Sequence, residues 1–353
     1  VDRADVGGLV QSAVDGDAAA WKALVEGLSP LVWSVVRSHR LSDADAHEVY
    51  QTVWFRFAQH LGRIREPDKA KSWLASTARH ECLKVLKSLR RLTVTDDPQL
   101  LDRISEDRTP EQSLIDSEEA AAQSERVRRL WQEFEELGDR CRQLLRILMA
   151  SPKPGYQEVS AALGIAVGSI GPLRQRCLRR LRARLEARGG GMSDDDLDDL
   201  FTEEALPDEE LALDLLEEEL RQATAILDPV PAALRQIAVE AFALHDLDSR
   251  IAELSFDSVV DALPVRGAAA APRMLTFHAG EVTVDVELTA QRLMGQVLPP
   301  RSARIEVLSG PQPGAPLTTD DMGRFTCEVP PTGPFALRLR TDEEVIVTDW
   351  LTV

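Results

Sequence analysis

The chain changes character at Arg188-Gly189-Gly190-Gly191-Met192-Ser193, a glycine run that opens onto Asp194-Asp195-Asp196-Leu197-Asp198-Asp199. Residues 1–191 carry 30 Lys+Arg against 27 Asp+Glu, a net of +3, whereas residues 192–353 carry 11 against 32, a net of −21. Glycine runs are flexible and acidic runs resist packing, so a boundary falls here. Met192-Ser193-Asp194 reads like the start of a second protein, joined to the first in nature or by design. The charge asymmetry implies nucleic-acid contact by one half and self-masking, or a basic partner, for the other. The plain alternative is an acidic surface that only keeps the chain in solution.

With 353 residues the chain exceeds one typical core, and its 44% hydrophobic content excludes global disorder. Apolar runs fall far short of the roughly 20 residues of a membrane span. Val1-Asp2-Arg3-Ala4-Asp5 lacks a basic segment followed by an apolar one, so no signal peptide is visible. A cytoplasmic location without membrane contact is therefore expected. Cys82, Cys141, Cys177 and Cys327 contain no CxxC pair and read as buried reduced thiols, with no zinc site and no disulfide.

The basic half has helical periodicity. Trp21, Leu24, Val25 and Leu28 share one face, and Ser29-Pro30 is expected to open a second helix with Leu31, Val32, Val35 and Val36. Ser42-Asp43-Ala44-Asp45 offers N-caps for a third, with Val49, Val53, Trp54, Phe57 and Leu61 apolar. A fourth, about residues 69–92, turns Trp73, Leu74, Ala78, Cys82, Leu83 and Leu86 inward and shows Arg79, Lys84, Lys87, Arg90 and Arg91 on its other face. Residues 93–120 are polar and read as a linker. Helices follow at about 121–137 and 139–150.

Tyr156–Leu163, then Gly164, then Val167–Ala187 form a helix-turn-helix pattern, with Val159, Leu163, Ile165, Ile170 and Leu173 as its small core. The second helix offers Ser169, Arg174, Gln175, Arg176, Arg179 and Arg180. Residues at a helix N-terminus reach base edges in the major groove, and arginines further on hold phosphates. A cationic, solvated helix of a bundle is the alternative.

Three segments in series resemble bacterial extracytoplasmic-function (ECF) sigma factors of the sigma-70 family. Asp45-Ala46-His47-Glu48-Val49-Tyr50-Gln51-Thr52-Val53-Trp54 is similar to their D-A-E-D-V-V-Q-E-T-F segment, and Ser72-Trp73-Leu74-Ala75-Ser76-Thr77-Ala78-Arg79-His80 to their R-A-W-L-Y-R-I-A-R-N segment. Tyr156 to Arg174 resembles their C-terminal helix-turn-helix. The resemblance covers about residues 10–188. It implies that Glu48, Gln51 and Trp54 bind core RNA polymerase, through its β′ clamp and with the β flap as further partner. It implies that Trp73, Arg79, His80, Lys84, Lys87, Arg90 and Arg91 read and open the −10 promoter element. Ser169, Arg174, Gln175, Arg176, Arg179 and Arg180 would then read the −35 element. An aromatic ring for an unstacked base and cations for the single strand suit promoter opening. His47, Thr52 and His80 depart from the family pattern. For Trp54 and Trp73 a place in the helix core is the alternative.

In the acidic half, residues 197–227 read as one helix or a pair, with Leu211, Leu215, Leu216, Leu220, Ile226 and Leu227 in a stripe. Asp228-Pro229-Val230-Pro231 breaks it. A second amphipathic helix is expected over 232–254, with Leu234, Phe242, Leu247 and Leu254 on its apolar side. From residue 272 the period becomes two, as in Val282-Thr283-Val284-Asp285-Val286-Glu287-Leu288, and seven or so strands predict an antiparallel β-sandwich. Asp321–Phe325 and Val329–Phe335 resemble carboxypeptidase-regulatory-like sandwiches, which implies a binding or scaffolding module. His245-Asp246 and His278 lack a nucleophile pattern, the zinc-type anti-sigma motif His-x3-Cys-x2-Cys does not occur, and neither an enzyme, a metal nor a cofactor is expected.

The expected fold class is multidomain α plus β. Residues 1–92 form a sigma region 2-like helical domain, 93–125 a linker, 126–188 a region 4-like helix-turn-helix domain, 189–204 an acidic linker, 205–271 a helical regulatory segment and 272–353 the sandwich. The expected function is a sigma factor inhibited by its own acidic half, with Leu211, Leu215, Leu220, Leu234, Phe242 and Leu247 contacting the sigma half. The alternative is an active sigma factor carrying a ligand- or protein-binding sensor.

Overall fold

The computed structural model describes residues 3–93, 118–187, 207–244, 249–261, 272–309, 314–328, 331 and 333–351. Four helices open it: α1 (Arg3–Val14), α2 (Ala18–Arg37), α3 (Asp43–His60) and α4 (Ala70–Thr93). Asp17 caps α2 by accepting from the Ala19 and Ala20 amides at 2.8 and 3.3 Å, and Ser42 caps α3 by accepting from the Asp45 amide at 3.1 Å. The break expected at Ser29-Pro30 does not occur. Pro30 lies inside a continuous α2. Burial of Leu28, Ser29, Leu31 and Val32, and the Ser29–Tyr50 hydroxyl bond of 2.6 Å, hold the helix through the missing amide.

A second group contains α5 (Glu118–Glu135), α6 (Asp139–Leu148), α7 (Tyr156–Leu163) and α8 (Val167–Glu186). Gly164 ends α7 with φ +68°, the left-handed conformation that only glycine takes at little cost, and so sets the turn into α8. Cys141 on α6 and Cys177 on α8 form a disulfide with 5.2 Å between Cα atoms, which corrects the expectation of reduced thiols for this pair. Both cysteines lie on buried faces where the two helices cross, a juxtaposition made by the fold across 36 residues and invisible to a local motif. Cys82 and Cys327 form no disulfide, and burial pushes the Cys82 thiol far up.

In the acidic half, α9 (Pro207–Leu227) and α10 (Ala232–Glu240) flank the Asp228–Pro231 break, and a short 3-10 turn runs over Ala241–Leu244. The helix expected to reach residue 254 stops there. Arg250–Asp257 is instead strand β1, paired parallel to β9 (Val345–Thr348) and antiparallel to β2 (Arg273–Ala279). A short apolar run fits either period, and tertiary pairing decides.

After the one-turn helix α11 (Ser258–Asp261) and β2 come β3 (Val282–Leu288), β4 (Leu293–Leu298), β5 (Arg304–Leu308), β6 (Leu317–Thr318), β7 (Arg324–Cys327), β8 (Ala336–Arg340) and β9. All join one nine-stranded sheet, ordered β6-β5-β8-β9-β1-β2-β3-β4-β7. Its end strands β6 and β7 lie side by side, so the sheet is nearly closed. This barrel-like sheet replaces the two-sheet sandwich expected. Alternating strands need their apolar face covered, and a sheet that curls on itself covers it as well as a second sheet does. Phe277, Val284, Val286, Ile305, Phe335 and Leu339 fill the inside. Leu213, Leu220, Leu234, Ala238, Val347 and Trp350 belong to a different buried cluster, shared with the N-terminal helices.

Candidate nucleic-acid interface

Helix α3 has two faces. Val49, Tyr50, Val53, Trp54 and Phe57 point into the helical core, where the Trp54 ring meets Trp21 edge-on at 5.8 Å. Trp54 is therefore a core residue rather than a surface contact. Glu48 and Gln51 are half-buried on the outer face. Burial, followed by the Asp45 charge, pushes the Glu48 carboxyl above its ordinary value. Helical spacing carries this face through Phe55 and Gln59. There the acidic half is seated. The Trp350 ring lies 4.3 Å from Phe55. Arg56 donates Nε and Nη2 to the Trp350 carbonyl at 3.0 and 2.7 Å, and Gln59 donates to the Thr348 carbonyl at 2.8 Å.

Beyond α3, Trp73 is half-buried beside Phe57 and His60, with centroids 5.6 and 5.9 Å away. With His60, Arg63, Ile64, Arg65, Glu66 and Lys69 it lines a cavity of about 270 Å³. Within this lining Lys69 is paired with Glu66 at 2.6 Å. Along α4, His80 and Lys87 are exposed, and Lys84 is paired with buried Glu81 at 3.1 Å. The Arg79 guanidinium packs over Gly164, where a Cβ would sit 2.9 Å from its Nη2. The Arg90 and Arg91 side chains lie outside the described residues.

On α8 the six candidate residues divide. Arg176 is exposed and Gln175 half-buried, while the half-buried Ser169 donates its hydroxyl to the Ala166 carbonyl at 2.7 Å. Arg179 is buried, and Arg180 donates to Cys141 Sγ at 3.8 Å. Residues one apart on a helix point 100° apart, so six side chains so close in sequence cannot share one face. Arg174 belongs to the acidic half: Nη2 meets Asp214 at 2.7 Å and Nε pairs with Glu217. Glu217 is 3% exposed and also takes Lys153 at 2.5 Å and Arg221 at 2.8 Å. Burial works to raise this carboxyl, but the hydrogen bonds from Lys153 and Arg174 prevail and hold it below the ordinary carboxylate value.

Residues 24–92 match the family model described as Sigma-70 region 2. The chain carries a sigma-70 region 2 segment. Region 2 of sigma-70 factors binds core RNA polymerase and the −10 element, which implies a sigma-factor role in promoter recognition for this segment. It spans α3, α4 and most of α2, the helices described above. No curated protein and no solved structure matches the chain.

Between sigma helices α2 and α3, the acidic half places α10. Trp21 donates its indole N–H to the Ala238 and Val239 carbonyls at 3.0 and 3.1 Å, and Phe242 stacks on the Trp21 ring at 5.6 Å. Of the expected contact residues, Leu234 is buried there and Phe242 is half-buried, while Leu220 is buried on α9, which packs against α5 and α8. Leu211 and Leu215 are 64% and 60% exposed, because the buried stripe of α9 runs through Leu213, Leu216 and Leu220 instead. Leu247 lies outside the described residues. Sequence reading missed Trp350, Asp214, Glu217 and the Trp21 indole N–H, whose roles arise from contacts more than 30 residues away. Among the described residues no His, Cys, Asp or Glu cluster is placed to hold a metal, and no helix is long and apolar enough to cross a membrane.

Proposed function

We propose that the N-terminal half is an ECF-type sigma factor and that the acidic half inhibits it by occupying its polymerase- and promoter-binding surfaces. One observation carries this reading: a single acidic half sits on the outer face of α3 through Trp350 and on Arg174 of α8 through Asp214 and Glu217. In a sigma factor the first is the face expected to meet the polymerase clamp and the second the helix expected to enter the −35 groove.

A second feature supports it. Helix α4, the expected −10 reader, packs directly against α7 of the helix-turn-helix. Promoter elements about 25 base pairs apart are separated by about 85 Å of duplex. Two readers in contact cannot occupy both, so this arrangement is a closed form that must open to initiate. Because the two halves are one chain, the inhibitory contact is intramolecular, at an effective concentration of about a millimolar.

The test is the affinity of core RNA polymerase for residues 1–191 and for the full chain, side by side at about 0.15 M salt. Binding of the short chain and not the long one is expected. Equal binding would remove polymerase occlusion and favour an active sigma factor carrying a sensor module.

A further inference from the structure

The turn between α9 and α10 carries one carboxylate that reaches both N-terminal helical groups. Asp228 Oδ1 lies 3.2 Å from Nε of Arg37, the last residue of α2, and Oδ2 pairs with Nη1 of Arg146 on α6. The Arg146 side chain is buried at 2% exposure, and those of Arg37 and Asp228 are 8% and 11% exposed. Arg146 lies over the rings of Trp131 and Phe134, with its guanidinium carbon 5.0 and 5.4 Å from their centroids.

We propose that Asp228 is the catch that holds the two sigma domains against each other, so that its withdrawal lets them part. The inference rests on the closed-form reading above and adds the group that keeps the form closed.

The reasoning is electrostatic. Helices α2 and α6 touch, and at their seam two buried guanidiniums face the same space. Like charges in a medium of low dielectric repel, and far more strongly than in water. One carboxylate between them turns that repulsion into a bridge. Each arginine also has an acid within its own domain. Arg37 meets Asp43 at 2.6 Å, and Arg146 pairs with Glu135. When Asp228 leaves, neither cation is stranded without an anion, so each domain remains satisfied when separate. The seam thus has two acceptable states, closed with Asp228 and open without it. A further ion pair across it, Arg40 with Asp139 at 3.8 Å, is mostly exposed and worth little. Asp228 is supplied by the acidic half, so departure of that half opens the seam along with the covered faces.

The experiment is small-angle scattering on the full chain, with circular dichroism as the fold control. The wild type is expected near the compact value of about 20 Å for a chain this long. Asp228→Asn keeps the shape of the side chain and removes its charge, and is expected to show native helicity with a radius of gyration larger by several ångström. Arg37→Met combined with Asp228→Asn removes one of the two facing cations and is expected to return the radius to the wild-type value. A merely structural Asp228 would not be rescued by deleting its partner. If Asp228→Asn does not fold, the double variant decides: folded and compact supports the catch, and unfolded or expanded overturns it. A folded Asp228→Asn chain with the wild-type radius also overturns it, and leaves occlusion of polymerase standing. Opening without any gain in polymerase binding would support the catch and leave occlusion standing, since Trp350 and Glu217 still cover their faces.

Discussion

Two of the contacts by which the acidic half holds the N-terminal half differ in chemistry. At α3 the contact is a ring on a ring, Trp350 on Phe55, closed by Arg56 and Gln59 donating to backbone carbonyls. At α8 it is a carboxylate pair, Asp214 and Glu217, on Arg174, with Lys153 joining. The first depends on buried apolar surface and short range. The second depends on charge, and its exposed members, Asp214 and Lys153, are open to screening. One acidic half therefore holds two surfaces by forces that respond to different conditions. A change of salt or pH separates them, whereas a steric block of one kind would rise and fall as a unit.

The largest expected effect is at α3. Trp350→Ala removes a fully buried indole and should cost about 3–5 kcal/mol of stability in urea unfolding. It should raise polymerase affinity while leaving the salt dependence of the α8 contact unchanged. Glu217→Gln should cost about 2–3 kcal/mol, because three cations lose a buried charged acceptor. Its unfolding midpoint should respond less to added salt than that of the wild type; an unchanged salt response would mean that the ion cluster contributes nothing.

Trp21→Phe keeps the stack with Phe242 and deletes the indole donor to Ala238 and Val239, which should cost about 1 kcal/mol. The smallest effect is in pH. His60 lies beside Asp349 at 3.9 Å, and burial lowers its pKa against the opposing pull of the Arg56 carbonyl and Asp349. A lowered histidine is fully stabilising above its ordinary value of 6.5 and loses stability as pH falls below it. Glu217, a depressed carboxyl, stabilises above the ordinary carboxylate value and fails only when pH drops beneath that. Mild acid should thus loosen the α3 contact before the α8 contact. His60→Gln should flatten the stability profile just below pH 6.5. A wild-type profile already flat there would contradict the assignment.

Much of the N-terminal half was legible. The apolar spacing of Trp21, Leu24, Val25 and Leu28 marks α2, Ser42 marks the start of α3, and Gly164 marks the turn before α8. These signals are local: periodicity, a cap, a left-handed glycine. The alternation of Val282–Leu288 likewise marks β3. What escaped depends on partners distant in sequence. Ile251 to Leu254 satisfies a helical pattern as well as a strand pattern, and only pairing with β2 and β9 decides. Arg179 and Arg174 look equivalent in sequence, yet one is buried in its own domain and the other meets Glu217 across the acidic half. Asp228 marks only a helix end until the structure brings Arg37 and Arg146 to it.

The central claim is that the acidic half keeps core polymerase off a sigma factor by holding two surfaces at once. It is tested most directly by titrating core RNA polymerase into the full-length wild type and into full-length Trp350→Ala/Glu217→Gln. The double variant weakens the α3 and α8 contacts without removing any residue of the proposed sigma surface. The account predicts that it binds polymerase at least about tenfold more tightly than the wild type, a difference of about 1.4 kcal/mol. Equal affinities, with the variant folded and the acidic half released from both α3 and α8, would contradict it.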